Sequence, residues 1–319
     1  MKVMVTGAGG FVGRALLKRL VENDHEVVGL DNHADGIPDC TRKVIGDICA
    51  LDVLTDAFGD GCDAIIHLAT VPGGAAEADP AASRRVNIEA MYNLLEIARE
   101  AGSRPRIVFA SSIAVLGNPL PETGVDDATP VAPQMVYGGH KAMMETAIAM
   151  MSNRGEIDGV SLRLPAVLAR PKGPSGLKSA FMSELFHALR AHQEFVCPVS
   201  ENATIWAVSI SGCVTNLLHA LTFESSLLPV TRAVTLPALQ TRIADLVSSI
   251  ARQCGTSPEL VRYAPDTALE DAFGRYPVLK TTAAERAGFC HDGDLDSLVG
   301  AALSEIAASD FGHDGAHQD

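Results

Sequence analysis

The first half of the chain alternates short apolar runs with longer amphipathic ones. Val3–Val5, His25–Leu30, Lys43–Ile45, Ala64–His67, Arg106–Ala110 and Val160–Leu164 read as strands. Phe11–Glu22 and Leu51–Phe58 read as helices, as does a long run that Asp79 caps, Pro80 opens and Ala101 roughly ends. A fourth helix is predicted from about Gln134 to Asn153. Near-continuous apolar strands alternating with helices predict an α/β fold, a doubly wound parallel sheet of Rossmann type covered on both faces. Leu68 to Ala78 reads as a small-residue loop. Asn118 to Pro133, with its prolines, reads as an active-site loop, and Arg170 to Gly176 as another Pro/Gly loop. Beyond it the alternation degrades. Helices are predicted at 178–191, 209–221, 240–253 and 281–288, with a strand at Ala233–Leu236. That pattern suits a smaller C-terminal α/β lobe partly interleaved with the sheet. The expected division is 1–165, 166–308 and a frayed polar tail, 309–319.

At 319 residues, 47% hydrophobic and 20% charged, the chain is long enough for one large or two coupled globular domains. Its net charge of −14, without any basic block, argues against nucleic acid as a partner, so an anionic substrate would need locally placed Arg or Lys. Seven scattered cysteines with no C-x-x-C read as thiols in a reducing cytosol rather than as disulfides or a zinc site. No apolar run nears the ~18 residues of a membrane span. The opening residues carry one Lys and enter a strand at once, so no secretory signal is expected. The ten histidines show no metal-ligand spacing, and no metal is expected.

The candidate chemistry begins at Met1–Gly13, MKVMVTGAGGFVG. Strand, glycine turn and helix start follow one another, with Gly7 for the turn, Gly10 for close approach of a pyrophosphate and Gly13 for helix–sheet packing. Asp31, at the end of the second strand, can accept hydrogen bonds from an adenosine ribose and would repel a 2′-phosphate, which favours NAD over NADP. Asp47 and Ile48 could flank the adenine. Ser111 and Ser112 end the fifth strand, where ligands of open α/β sheets bind. Tyr137 and Lys141 stand four apart on one helical face, so the ammonium can lower the phenol pKa and reach a nicotinamide ribose. Gly138 and Gly139 between them suggest a close approach to the cofactor.

In this order the motifs resemble the extended short-chain dehydrogenase/reductases, over nearly the whole chain. The resemblance implies that GAGGFVG, including Phe11 and Val12, holds the pyrophosphate. It also implies that Leu68, Ala69, Gly73 and Pro165 line the cofactor, and that Ser112, Tyr137 and Lys141 are catalytic. Nucleotide-sugar epimerases and dehydratases of the family usually carry R-Y-F-N-V-x-G-P. Here the stretch is RLPAVLARP, with Ala166 in place of the Asn. They also carry an Arg-Asp pair that is missing around Ala203–Val208. SSIAVLGNPLP, SLRLPAVLARP, EFVCPV with TIWAVS, and VTLPAL instead resemble the family's D-erythronate dehydrogenase branch. That implies NAD-dependent oxidation of a four-carbon sugar acid at its C2 hydroxyl. Ser112 would orient the oxygen, Tyr137 would take the proton and Arg170 would hold the carboxylate. Arg163 competes for that last role but could equally pair in the core. Trp206 could wall the pocket or simply pack. Met143, Met144, Met150 and Met151 read as helix packing, and the family implies a homodimer through this helix and the one from Asp79. The alternatives are a nucleotide-sugar epimerase/dehydratase and a non-catalytic dinucleotide sensor.

Overall fold

Each of the six apolar runs of the first half becomes a strand. The computed structural model describes residues 1–38, 42–171 and 179–311. Twelve strands follow in chain order among them: β1 Lys2–Thr6, β2 Glu26–Asp31, β3 Arg42–Ile45, β4 Ala64–His67, β5 Arg106–Ser112, β6 Asp158–Leu164, β7 Ala166–Leu168, β8 Phe195–Cys197, β9 Thr204–Ser209, β10 Ala233–Thr235, β11 Leu239–Arg242 and β12 Val261–Tyr263. Seven of them form one parallel sheet in the order β10-β6-β5-β4-β1-β2-β3. The order reverses between β1 and β4, which opens a crevice at their carboxyl ends.

Both faces are covered, as the apolar strands require. Val3 and Val5 of β1 join Leu16, Leu17 and Leu20 of helix Phe11–Glu22 and Val214 and Leu217 of helix Ile210–His219 on one face. Met4 joins Leu54, Leu94, Leu95 and Ile148 on the other. Burying a side chain such as Leu17 completely contributes about 1.5–3 kcal/mol. Helices Phe11–Glu22 and Leu51–Phe58 have their predicted bounds.

Two differences lie close to the crevice. The small-residue loop contains a short helix, Gly73–Ala78, whose alanines and glutamate favour it once two glycines are passed. Asp79 ends that helix and caps the next, accepting from Ala82 N at 2.9 Å. The long helix that follows is interrupted by a π-helical turn, Arg85–Ala90, before continuing as Met91–Glu100.

The C-terminal part builds a three-stranded sheet, β11-β9-β7, and a pair, β12-β8, over their own core of Leu185, Phe186, Leu246 and Ile250. Its chain is interleaved with the large sheet, because β10 pairs with β6 at the edge. A strap formed by residues 276–283 ties the two parts together. Val125 N donates to Val278 O and Lys280 N to Val125 O, both at 2.8 Å, and Ala283 N reaches Asp127 Oδ2 at 2.8 Å. The last helix, Leu295–Phe311, begins well before the expected tail, of which 312–319 lie outside the described residues. Residues 172–176 of the predicted Pro/Gly loop and Cys40 also lie outside them. Among the described residues no helix is long and apolar enough to cross a membrane.

Candidate active site

The glycine turn leaves no room for side chains. Gly7 has φ +70°, and a Cβ there would lie 2.7 Å from Ala69 N; one on Gly13 would lie 2.2 Å from Gly7 O. Gly10 N donates to Gly7 O at 3.1 Å, which closes the turn. Phe11 and Val12 are then the first two helical residues, with N–H groups that have no intrahelical acceptor and suit phosphate oxygens. Asp31 ends β2 beside this turn; its Oδ2 accepts from Gly9 N at 2.9 Å and its Oδ1 from His33 N at 3.2 Å. Arg14, missed in the sequence, donates from Nε to Gly9 O at 2.7 Å and so braces the same turn. Asp47 turns its own backbone, accepting from Cys49 N at 2.9 Å, while Ile48 is buried in the core beneath.

The floor of the crevice comes from the end of β4. Thr6 Oγ1 and His67 Nδ1 are 2.9 Å apart, and Ala69 N donates to the same hydroxyl at 3.3 Å. His67 is fully buried; burial and the neighbouring Lys141 push it down to about 3, so the ring is neutral. Leu68 and Ala69 stay half-exposed at the lip. Gly73 opens the short helix and is buried, with Met135 Cε 3.3 Å from where its Cβ would stand. Asn87, on the π turn, is hydrogen-bonded to Thr70, Val71 and Ser83 and fixes the path of the loop.

The helix that carries Tyr137 and Lys141, Val136–Asn153, starts after Pro133, and Glu77 Oε1 accepts from Val136 N at 2.7 Å. Of the two glycines behind Tyr137, the first does not act as expected. Gly138 is set against the protein itself, since a Cβ would fall 2.1 Å from Ala114 O, and Gly139 faces open space. Lys141, only 2% exposed, donates from Nζ to Ala110 O at 2.8 Å, under the Phe109 ring at 4.6 Å and 5.6 Å from the Tyr137 ring centre. Burial pushes its ammonium down to about 7, against the pull of Glu145. Burial pushes the Tyr137 phenol up, while the Arg170 guanidinium and the Ser112 and Thr70 hydroxyls pull it down. The structure thus brings Ser112, Tyr137 and Arg170 together, with Lys141 beneath them.

The two arginines differ sharply. Arg163 is buried and forks onto Glu145, with Nη2 2.7 Å from Oε2 and Nε 3.0 Å from Oε1. Ser111 completes that cluster, donating to Glu145 Oε1 at 2.6 Å. Arg170 is half-buried, with its backbone tied to Ser183 and His187, and its guanidinium lies toward Tyr137 and Cys213. Among the described residues no carboxylate pairs with it. A cavity of about 380 Å³ opens beside it, lined by Ser183, Glu184, His187, Gln193 and Phe195. Pro165 is buried between β6 and β7. Trp206 has no exposed surface: its Nε1 donates to Pro277 O at 2.7 Å and its ring meets Tyr276 at 4.9 Å. It lies in a cluster with Val115, Leu116 and Val125.

Glu145, Thr70 and Asn87 were missed in the sequence. Glu145 is one turn beyond Lys141 on the same face, a spacing that could have flagged it. Thr70 directly follows the His67–Ala69 lip, and Asn87 is a polar residue within an apolar helix. Among the described residues no three His, Cys, Asp or Glu side chains gather as a metal site would require.

Residues 3–208 match the NAD dependent epimerase/dehydratase family. The chain is 32% identical to D-erythronate dehydrogenase of Cupriavidus necator, over 96% of this chain and 98% of that one. It is 30% identical to D-erythronate dehydrogenase of Haemophilus influenzae, over 94% and 98%. Among solved structures it superposes on a nucleoside-diphosphate-sugar epimerase from Agrobacterium tumefaciens with a TM-score of 0.87, at 27% identity over 97% of this chain and 95% of that one. L-threonine dehydrogenase from Clostridium difficile shares the fold, with a TM-score of 0.86 at 20% identity over 97% and 98%. The chain therefore belongs to the NAD dependent epimerase/dehydratase family and is one of its dehydrogenases, working with a nicotinamide dinucleotide.

Proposed function

We propose that the protein oxidises the C2 hydroxyl of D-erythronate, or a closely similar four-carbon sugar acid, to the 2-oxo acid with NAD. The observation that carries this reading is Arg170: a half-buried guanidinium beside Tyr137, without a carboxylate partner among the described residues. A substrate carboxylate held there by a forked hydrogen bond places the neighbouring C2 close to the phenol. The relatives named for D-erythronate support the same substrate.

The glycine cradle, with no space for a Cβ at Gly7 or Gly13, fits a pyrophosphate, and bound NAD supplies the hydride acceptor. Tyr137, as phenolate, takes the C2 hydroxyl proton while C2 loses its hydride. Ser112 donates to the substrate oxygen. Lys141 holds the nicotinamide ribose and adds positive charge beneath the phenol. The Asp31 carboxylate at the turn supports NAD over NADP, since it would repel a 2′-phosphate. In this reading residues 1–165 hold the cofactor and 166–308 enclose the substrate. Among the described residues the cysteines are all free, which suits a cytoplasmic protein. Gly139, Met143, Thr146 and Met150 recur at helical spacing on the outer face of the catalytic helix, with Met143 56% and Met150 42% exposed, which supports a homodimer through that face. A monomeric mass by light scattering would overturn the dimer.

The deciding experiment incubates the purified protein with NAD and D-erythronate and follows the reduced nicotinamide absorbance. Net NADH formation is expected, and NADP should replace NAD poorly. No turnover with any four-carbon acid would end the substrate claim. The cavity beside Arg170, larger than such an acid needs, favours a second reading, nucleotide-sugar epimerisation, which yields no net NADH.

A further inference from the structure

Helix Val136–Asn153 meets the end of β5 along one side. A Cβ on Gly138 would fall 2.1 Å from Ala114 O, Lys141 Nζ donates to Ala110 O at 2.8 Å, and Ser111 Oγ donates to Glu145 Oε1 at 2.6 Å. Spacings of three and four residues put these three contacts on the same helical face. Glu145 is itself held from β6, where Arg163 forks onto it with Nη2 2.7 Å from Oε2 and Nε 3.0 Å from Oε1. Ser111 and Arg163 are partners across β5 and β6, so one carboxylate clips two neighbouring strands to the helix. All three side chains are buried. Ile107 and Phe109 of β5 lie in the same cluster as Met144 and Ile148 of the helix.

The clip sits where the sheet stops supporting β5 on both sides. Among the described residues, β4 pairs with β5 as far as Phe109, whereas β6 continues to Ser112. Ala110, Ser111 and Ser112 thus have a strand neighbour on one side, and Lys141 and Glu145 supply what β4 does not. Ser112 comes next in the chain. Its oxygen accepts from Ala114 N at 3.1 Å, which leaves its own proton for a substrate oxygen. We propose that Ser111 is a positioning residue for the reaction: its hydroxyl, locked to Glu145 and through it to Arg163, holds the end of β5 so that Ser112 meets the substrate oxygen. The inference rests on the reading of Ser112 as the group that orients that oxygen. A hydroxyl displaced by a fraction of an ångström still binds, but it no longer donates along the line the reacting oxygen needs.

The test is a cycle of Ser111→Ala, Ser112→Ala and the double variant, assayed with D-erythronate and NAD, alongside amide hydrogen exchange across residues 110–112. In Ser111→Ala, Arg163 and Glu145 keep each other, so the denaturant midpoint should stay close to that of the parent. Exchange at the strand end is expected to quicken about tenfold. The kcat should fall about tenfold, with KM for the acid within about twofold, because Arg170 rather than Ser112 holds the carboxylate. Once Ser112 is alanine, the same change should cost less than about twofold. Equal losses of kcat in the two backgrounds, or a parent-like kcat in Ser111→Ala, overturn the proposal. If Ser112→Ala keeps full turnover, the reading of Ser112 fails; quickened exchange in Ser111→Ala then leaves the clip standing, and parent-like exchange overturns it too.

Discussion

On the floor of the crevice the polar side chains are already engaged. Thr6 holds His67, Ala110 holds Lys141, Asn87 holds Thr70 and Val71, and Glu145 holds Arg163 and Ser111. On the far wall Arg170 waits without a carboxylate among the described residues. Both regions border the same phenol. A floor built this way is preorganised, and little reorganisation is needed when the cofactor binds. In the proposed function the wall keeps its strongest interaction for the substrate carboxylate, which makes it the place where substrates are told apart.

Four substitutions sharpen or break this contrast. The largest effect is expected for Tyr137→Phe, which removes the group shared by floor and wall: kcat should fall about 10²–10⁴-fold with NAD affinity by calorimetry unchanged. Survival of activity would dissolve the idea of a shared centre. Arg163→Met breaks the floor by leaving Glu145 charged and buried, and should cost about 3–5 kcal/mol of stability in a denaturant titration. Arg170→Met should leave that titration curve in place and instead raise KM for the acid, by an amount worth about 1.5–3 kcal/mol, or roughly 10–100-fold. Equal stability losses in the two arginine variants would mean that the wall supports the fold no less than the floor does.

The smallest effect, counted per pH unit, is on pH dependence. Lys141 titrates at about 7 in the fold and at its ordinary 10.5 when unfolded. Between those values the unfolded chain binds more protons, so stability should rise with pH from 7 toward 10.5, by at most about 1.4 kcal/mol per unit. Below 7 both states are protonated and the contribution is flat. Lys141→Met should abolish the rise, as read from melting temperature across that range.

What the sequence reveals divides along nearly the same line. The helix Phe11–Glu22 and the turn at Gly7 are local patterns, decided by neighbours a few residues away, and both are readable. β7 has three residues and finds its partner only in β9, so nothing within Ala166–Leu168 announces a strand. β11, with Gln240, Thr241 and Arg242, shows no apolar alternation because it is set by pairing with β9. The helix Leu295–Phe311 is rich in Ala, Ser and Gly, which blur its apolar stripe. At the site, Tyr137, Lys141 and Ser112 stand in recognisable spacing. The different fates of Arg163 and Arg170 depend on Glu145, 18 residues before Arg163 and on another element. Thr70 and Asn87 meet across 17 residues, and Trp206 is covered by Pro277 from 71 residues downstream. Such pairings are products of the fold, so no window of sequence contains them.

The strap of residues 276–283 also bears on the order in which the protein is made. Ser112 and Tyr137 leave the ribosome in the first half of synthesis, and the strand and helix that carry them can pack as soon as they emerge. The loop beside them is closed by Val278 and Lys280, and Asp127 finds Ala283 only across 156 residues. A nascent chain halted before the strap would own the glycine turn and Tyr137, yet the loop around Val125 would have nothing to rest on. In the proposed function, competence for catalysis therefore arrives late in the life of the growing chain, well after the sheet that supports it.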